Sequence, residues 1–295
     1  MVDGFLIIDK PAGCSSHDVV NRVRRILSTK KVGHTGTLDP FATGVLPIAV
    51  GEGTKAIPFL DEGKKCYLAT LQLGITTDTL DITGTVLREA DSSQVGEADL
   101  LRAMADLTGE IDQVPPMYSA IKQGGQPLYK LARKGIEVER AARRVMIKRF
   151  NLLAFEPPLA RVEVSCSRGT YVRTLADDLG RLVGCGACLT ELRRTMSGPF
   201  RLEQALTLEQ LEAVVASHEI GQHLLQPLAM LEHLPRIALD GDQARLVRNG
   251  QVPYRCELPD LPEEGCCCLV AEGTLLAMAC KRQGRLVLQR GFVTS

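Results

Sequence analysis

The sequence predicts an α+β fold, with a mixed central sheet flanked by helices and a small β-rich module at the C-terminal end. Three observations predict it. Strand-like and helix-like segments interleave without the regular βα alternation of a doubly wound sheet. Two-residue and 3.6-residue hydrophobic periods both recur, each over short stretches. The last sixty residues break into short apolar runs separated by glycine-containing turns. A chain of 295 residues accommodates one large domain and one small one, expected here at about 1–232 and 236–295.

Taken in order, "GFLIIDKPAG" (4–13) reads as a buried strand closed by a Pro-Ala-Gly turn. "SSHDVVNRVRRIL" (15–27) reads as a helix capped by Ser15 or Ser16, with Val19, Val20, Val23, Ile26 and Leu27 on one stripe. "GVLPIAVG" (44–51) is a short strand. "KKCYLATLQLG" (64–74) alternates, with Tyr67, Ala69, Leu71 and Leu73 on one face. Residues 76–87 form a turn-rich connection into another strand, and 97–111 an amphipathic helix. Residues 113–135 start with two prolines, pass a Gly-Gly pair and end in a short basic helix. "LARVEVSCSRG" (159–169) is a strand, and 170–184 a helix with Val172, Leu175, Leu179 and Leu182 as its apolar stripe. A Glu-rich helical stretch near 208–232 connects to the final module, expected to be all-β.

Hydrophobic residues make up 45% and charged residues 24%, the composition of a globular protein with a substantial core. No apolar run approaches the roughly 18 residues that span a bilayer. "MVDGFLIIDKPAG" has no basic segment before its apolar stretch, so no secretory signal is expected and the cytoplasm is the expected location. The ten cysteines include a C-x-x-C, Cys185 and Cys188, but no second pair completes a zinc ligand set. The triplet Cys266–Cys268 reads as strand residues acting as small hydrophobes.

Formal net charge is zero, with 35 basic and 35 acidic residues, but the charges are segregated. Residues 122–149 carry nine Lys/Arg against two Glu, and 22–31 carry five basic residues and no acid. Residues 201–235 carry one Arg and five Glu. A segregated basic face can steer a polyanion.

"GHTGTLDPFATG" (33–44) holds three glycines, three threonines and one carboxylate, Asp39. No G-K-[ST] follows, so it is not a P-loop. Read alone, Asp39-Pro40 is ordinary turn chemistry.

Together with that dodecapeptide, "DKPAGCSS" (9–16), "KKCYLATLQLG" (64–74), "VPPMYSAIK" (114–122), "CSRGTYVRTLADDLG" (166–180) and "LRRTMSG" (192–198) closely resemble the bacterial TruB-type tRNA pseudouridine-55 synthases, over most of residues 4–200. The final module resembles a PUA domain more loosely. The resemblance implies the pseudouridine synthase fold and isomerisation of a uridine in the T-loop of tRNA. That reaction breaks the N1–C1′ bond, turns the base over and rejoins it through C5. It needs neither cofactor nor metal, and no convincing site for either stands out. It needs one carboxylate, to stabilise or capture the ribose carbon or to assist loss of the C2′ proton. A glycoside hydrolase would use two.

By the same resemblance, Asp39 is the catalytic acid, Arg173 its guanidinium partner, expected to lower its pKa, and Tyr67 the tyrosine that stacks on the flipped base and serves as general base. Tyr171 and Leu192 line the pocket. His34 enters the space left by the extruded nucleotides, and Asp81 contacts T-loop nucleotides. Lys10, grouped with the substrate-binding residues, mainly supports the active-site loop. The basic segment 122–149, including Lys130, Arg133 and Lys134, corresponds to a thumb-like insertion that closes over the T-arm. tRNA is the implied partner, with no membrane and no obligate protein partner. The rival readings are a guide-dependent synthase of the archaeal and eukaryotic type, a non-catalytic RNA-binding or RNA-folding protein, and an unrelated cysteine metalloprotein.

Overall fold

The computed structural model describes residues 2–61, 63–253 and 260–292. β1 (Gly4–Lys10), α1 (Ser16–Ile26), β2 (Val32–His34), β3 (Thr43–Val50) and β4 (Lys64–Leu73) come first. A separate hairpin of β5 (Ile75–Thr77) and β6 (Val86–Glu89) precedes α2 (Glu97–Asp106) and β7 (Gly109–Gln113). The chain then leaves the sheet through a small hairpin, β8 (Lys122–Gln123) and β9 (Gln126–Pro127), and α3 (Leu128–Ala132). It returns as β10 (Arg143–Glu156) and β11 (Leu159–Ser167), followed by α4 (Val172–Leu182), β12 (Ala187–Ser197), β13 (Phe200–Arg201) and α5 (Leu208–Ala216). β14 (Arg236–Ala238), α6 (Gly241–Arg248), β15 (Cys266–Ala271), β16 (Thr274–Arg282) and β17 (Arg285–Gly291) form the C-terminal module.

The central sheet runs β1-β3-β12-β4-β11-β10-β7, with β2 on β3 and β13 on β12. The β12–β3 pair is parallel, and the other pairs are antiparallel. It is the mixed sheet the sequence predicts. On β4, Tyr67, Ala69, Leu71 and Leu73 are buried, as the two-residue period requires. α1 starts at a capping box, in which Ser15 and Asp18 satisfy each other's backbone N–H. Its Val19, Val20 and Val23 pack into the same core as Val172, Leu175, Ala176 and Leu179 of α4.

β3 and β12 approach so closely at Gly44 that a side chain has no room. Gly44 adopts φ +98°, and a Cβ there would lie 2.2 Å from the Arg194 carbonyl oxygen. Gly44→Ala is therefore expected to destabilise by at least the roughly 1–3 kcal/mol of an overpacked core, read as a lower urea midpoint at unchanged m-value.

Five expectations need correction. The excursion from the sheet ends at residue 142, not 149: Arg143 onward is β10, paired with both β7 and β11. The helix expected over 97–111 stops at Asp106, because Gly109 takes φ +103° and starts β7. Leu182 ends α4 but is 54% exposed, so the buried stripe closes at Leu179. The C-terminal module is not all-β, since α6 packs on β15 and β16. Within "CCC", Cys267 and Cys268 are buried apolar residues, but Cys266 is disulfide-bonded to Cys280, its cross-strand partner. Cys256 lies outside the described residues.

The C-terminal module shares a core with the central sheet. Phe5, Ile7, Val45 and Ala49 of β1 and β3 pack with Cys268, Leu275, Met278 and Phe292. No helix among the described residues is long and apolar enough to cross a membrane.

Candidate active site

The loop between β2 and β3 carries Asp39, and buried side chains fix it from several sides. The Ser16 hydroxyl accepts from the Leu38 N–H at 2.8 Å and donates to the Leu38 carbonyl at 3.1 Å. The Gly13 N–H donates to the Pro40 carbonyl at 2.8 Å. Lys10 is fully buried, and its ammonium donates to the carbonyls of Pro11 (2.9 Å), Pro40 (3.2 Å) and Ala42 (2.7 Å). Burial lowers its pKa from the ordinary lysine value. Two of its three carbonyl partners belong to the Asp39 loop, so Lys10 ties that loop to the end of β1.

Arg194 fixes the other flank. It is fully buried on β12, with Nε donating to the Val45 carbonyl at 2.8 Å, Nη2 to Gly36 at 3.1 Å and Nη1 to Thr37 at 3.4 Å. Its strand neighbour Arg193 points to the opposite face and pairs with Asp9 at 2.6 Å. The motif "LRRTMSG" contains Arg194, but nothing in its spacing says which of two adjacent arginines turns inward.

Asp39 meets Arg173 from the first turn of α4. Arg173 Nη2 donates to Asp39 Oδ1 at 3.0 Å, and Nε lies 2.8 Å from Oδ2. The arginine is 3% exposed, whereas the aspartate side chain is 32% exposed, so the carboxylate is the accessible half of the pair. Arg173 also donates to the carbonyls of Thr79 (2.7 Å) and Tyr118 (2.8 Å). Asp81 Oδ2 lies 3.6 Å from its Nη1. The guanidinium therefore joins the Asp39 loop to two other segments.

Burial pushes the Asp39 carboxyl above its ordinary value of 3.8; Arg173 opposes this, Asp81 adds to it and Lys10 opposes it. Arg173 lowers the carboxyl's pKa, as expected from the sequence, but desolvation is the larger influence and sets the net direction.

Tyr67 lies on β4 opposite Arg194, 6% exposed. Burial pushes its phenol to about 12, with the Arg194 cation pulling it back. The resting group is a neutral phenol, so a base role needs Arg194 to stabilise the phenolate as it forms. Leu192 sits on the same face of β12 as Arg194, 6% exposed. Tyr171 is the half-buried residue preceding α4, and burial raises its phenol above the ordinary value. His34 is half-buried at the end of β2, opposite Ile48.

Asp81 is buried in its own turn. It is 3% exposed, and its Oδ1 accepts from the Thr79 hydroxyl and from the Thr83 N–H and hydroxyl at 2.9, 3.0 and 2.5 Å. Its reach to the site runs through Arg173. Lys130, Arg133 and Lys134 are exposed on or just after α3, with Arg133 stacked 5.5 Å over the Tyr129 ring.

Residues 24–172 match the family described as TruB family pseudouridylate synthase (N terminal domain), and 173–233 match the tRNA pseudouridylate synthase B C-terminal domain. The chain is 52% identical over 254 residues to the tRNA pseudouridine synthase B of Geobacter sulfurreducens, covering 86% of this chain and 84% of that protein. It is 50% identical over 286 residues to the enzyme of that name from Geotalea uraniireducens, covering 94% and 91%. Among solved structures, a crystal structure of a Cbf5-Nop10-Gar1 complex superposes with a TM-score of 0.76 at 26% identity, covering 98% of this chain and 85% of that one. The family matches and the relatives at about 50% identity make this a pseudouridine synthase. The chain belongs to the TruB family of these enzymes.

Proposed function

We propose that this protein isomerises uridine to pseudouridine at position 55 in the T-loop of tRNA. The observation that carries the reading is the accessible Asp39 carboxylate, held by buried Arg173 in a loop that Lys10 and Arg194 clamp from both flanks. The uridine leaves the stack and enters the pocket beside Tyr67, Tyr171 and Leu192. Asp39 meets its ribose while the N1–C1′ bond breaks. The base rotates, C5 bonds to C1′, the C5 proton is removed, and N1 gains a proton. Atoms and electrons balance without oxidant, reductant or water. His34, at the start of the loop, fills the space the nucleotide vacates. The C-terminal module serves as a PUA-like RNA contact, and the catalytic part spans about 1–232.

The basic excursion neutralises phosphates over the T-arm. Replacing Lys130, Arg133 and Lys134 together by uncharged residues is expected to weaken tRNA binding and to reduce the slope of log K against log salt by roughly one for each phosphate left unneutralised. Filter binding across a salt series reads it, and an unchanged slope would place the RNA elsewhere. The function itself is tested by incubating the purified chain with an unmodified tRNA transcript and mapping the modified nucleotide. Activity on bare tRNA separates this reading from a guide-dependent enzyme, and turnover separates it from an RNA-binding protein.

A further inference from the structure

We infer that Gln113 is a positioning residue for the reaction, holding the turn that presents Arg173 to Asp39. This rests on the synthase reading above. Gln113 is the last residue of β7 and is 2% exposed. Its carboxamide makes two hydrogen bonds to one distant backbone unit. Oε1 accepts from the Tyr171 N–H at 2.8 Å, and Nε2 donates to the Tyr171 carbonyl at 3.1 Å. The side chain thus imitates a strand partner for a single residue.

The place of this clasp gives it meaning. Tyr171 is the residue before α4, and α4 has no side-chain cap of its own. A helix start without a cap is free to fray. Two residues further on is Arg173, whose guanidinium must face Asp39, the Thr79 carbonyl and the Tyr118 carbonyl at once. A shift of the first turn would break that set. Gln113 supplies the missing restraint from another part of the chain.

Gln113 also marks where the basic excursion leaves the sheet. Its register partner across the β7–β10 ladder is Arg143, the first residue after the excursion returns. Both ends of the excursion therefore meet beside the clasp. Tyr118, early in the excursion, gives its carbonyl to Arg173. RNA that orders the excursion acts on the catalytic arginine through two links, the Tyr118 carbonyl and the Gln113 carboxamide.

The test compares Gln113→Ala and Gln113→Glu with the wild type in single-turnover release of the uridine C5 hydrogen from tRNA. Gln113→Ala removes both bonds. The expected result is a rate lower by about 10- to 100-fold, the scale of a misplacement near 1 Å, with tRNA Kd within about threefold. Gln113→Glu keeps the acceptor, but as a carboxylate it repels the Tyr171 carbonyl. Protonation restores a donor, and burial raises the pKa of such a carboxyl. Its rate relative to the wild type at the same pH is therefore expected to rise as pH falls. Because a fold defect from a buried carboxylate would also recover with acid, urea melts at each pH are used to establish that both variants are folded under the assay conditions. A wild-type rate in Gln113→Ala, or a Gln113→Glu ratio flat across pH, would overturn the inference. A wild type that releases no C5 hydrogen would instead sink the functional reading.

Discussion

Asp39→Asn is expected to lower the isomerisation rate by more than about 10⁴-fold, the scale seen when a reacting side chain is removed from a preorganised site. Asparagine keeps the volume and one acceptor oxygen, so Arg173 Nη2 retains a partner at the Oδ1 position. The Thr79 and Tyr118 carbonyls keep their hydrogen bonds to the arginine. The loop stays clamped, because Ser16, Lys10 and Arg194 bind its backbone and not the Asp39 side chain. What disappears is the negative charge facing the ribose. Since a polyanion approaches the site, losing that charge leaves tRNA affinity equal or tighter. Single-turnover assays and filter binding separate the two quantities. A variant that turns over normally would refute the assignment of Asp39, and one that loses binding in parallel would recast it as a structural residue.

Arg173→Met is expected to be the second largest loss, and it has a pH signature. Removing one partner of a buried ion pair costs about 3–5 kcal/mol in stability. Here it leaves Asp39 and Asp81 facing each other without the cation between them. The wild-type Asp39 carboxyl already lies above its ordinary value, so activity that needs the carboxylate falls as pH drops through that raised value. Without Arg173 a lowering influence is gone, and the acid limb of the rate profile moves to higher pH. Stability runs the opposite way with pH. A carboxyl whose folded pKa is raised favours the fold most when protonated and loses that contribution as pH rises through the folded value. The stability deficit of Arg173→Met should therefore be largest at neutral to alkaline pH and shrink as pH falls. Urea melts across pH read it. A deficit that is constant with pH would mean that the arginine stabilises by packing and not by charge.

Much of this site is legible in the sequence because motifs resembling the TruB family fall around it, where local composition alone leaves Asp39 as turn chemistry. Asp39 sits in a loop too rich in glycine and threonine to build a core, and Arg173 follows a strand-to-helix turn marked by Gly169. The alternation of β4 by itself puts Tyr67 on the inner face. The parts that escape are those where the period breaks. β10 opens with two exposed arginines, Arg143 and Arg144, so its basic start reads as part of the excursion, and it shifts register twice further on, between Ile147 and Arg149 and between Leu152 and Ala154. β12 shifts between Leu189 and Glu191, and again between Arg194 and Met196. Neither strand shows a clean two-residue pattern along its whole length. Asp81 escapes for another reason. Its burial depends on a turn formed by Thr79 and Thr83, and a carboxylate folded into its own turn looks in sequence like one facing solvent.

The continuous apolar seam between the C-terminal module and β1–β3 bears on how the protein can be cut. Phe5 and Val45 share that seam's apolar cluster with Cys268, Leu275, Met278 and Phe292 of the module. Removing everything after residue 233 would bare the back of the strands that flank the Asp39 loop. A shortened chain of that kind would meet water with a sticky wall, and would clump before it could show what the module does for RNA.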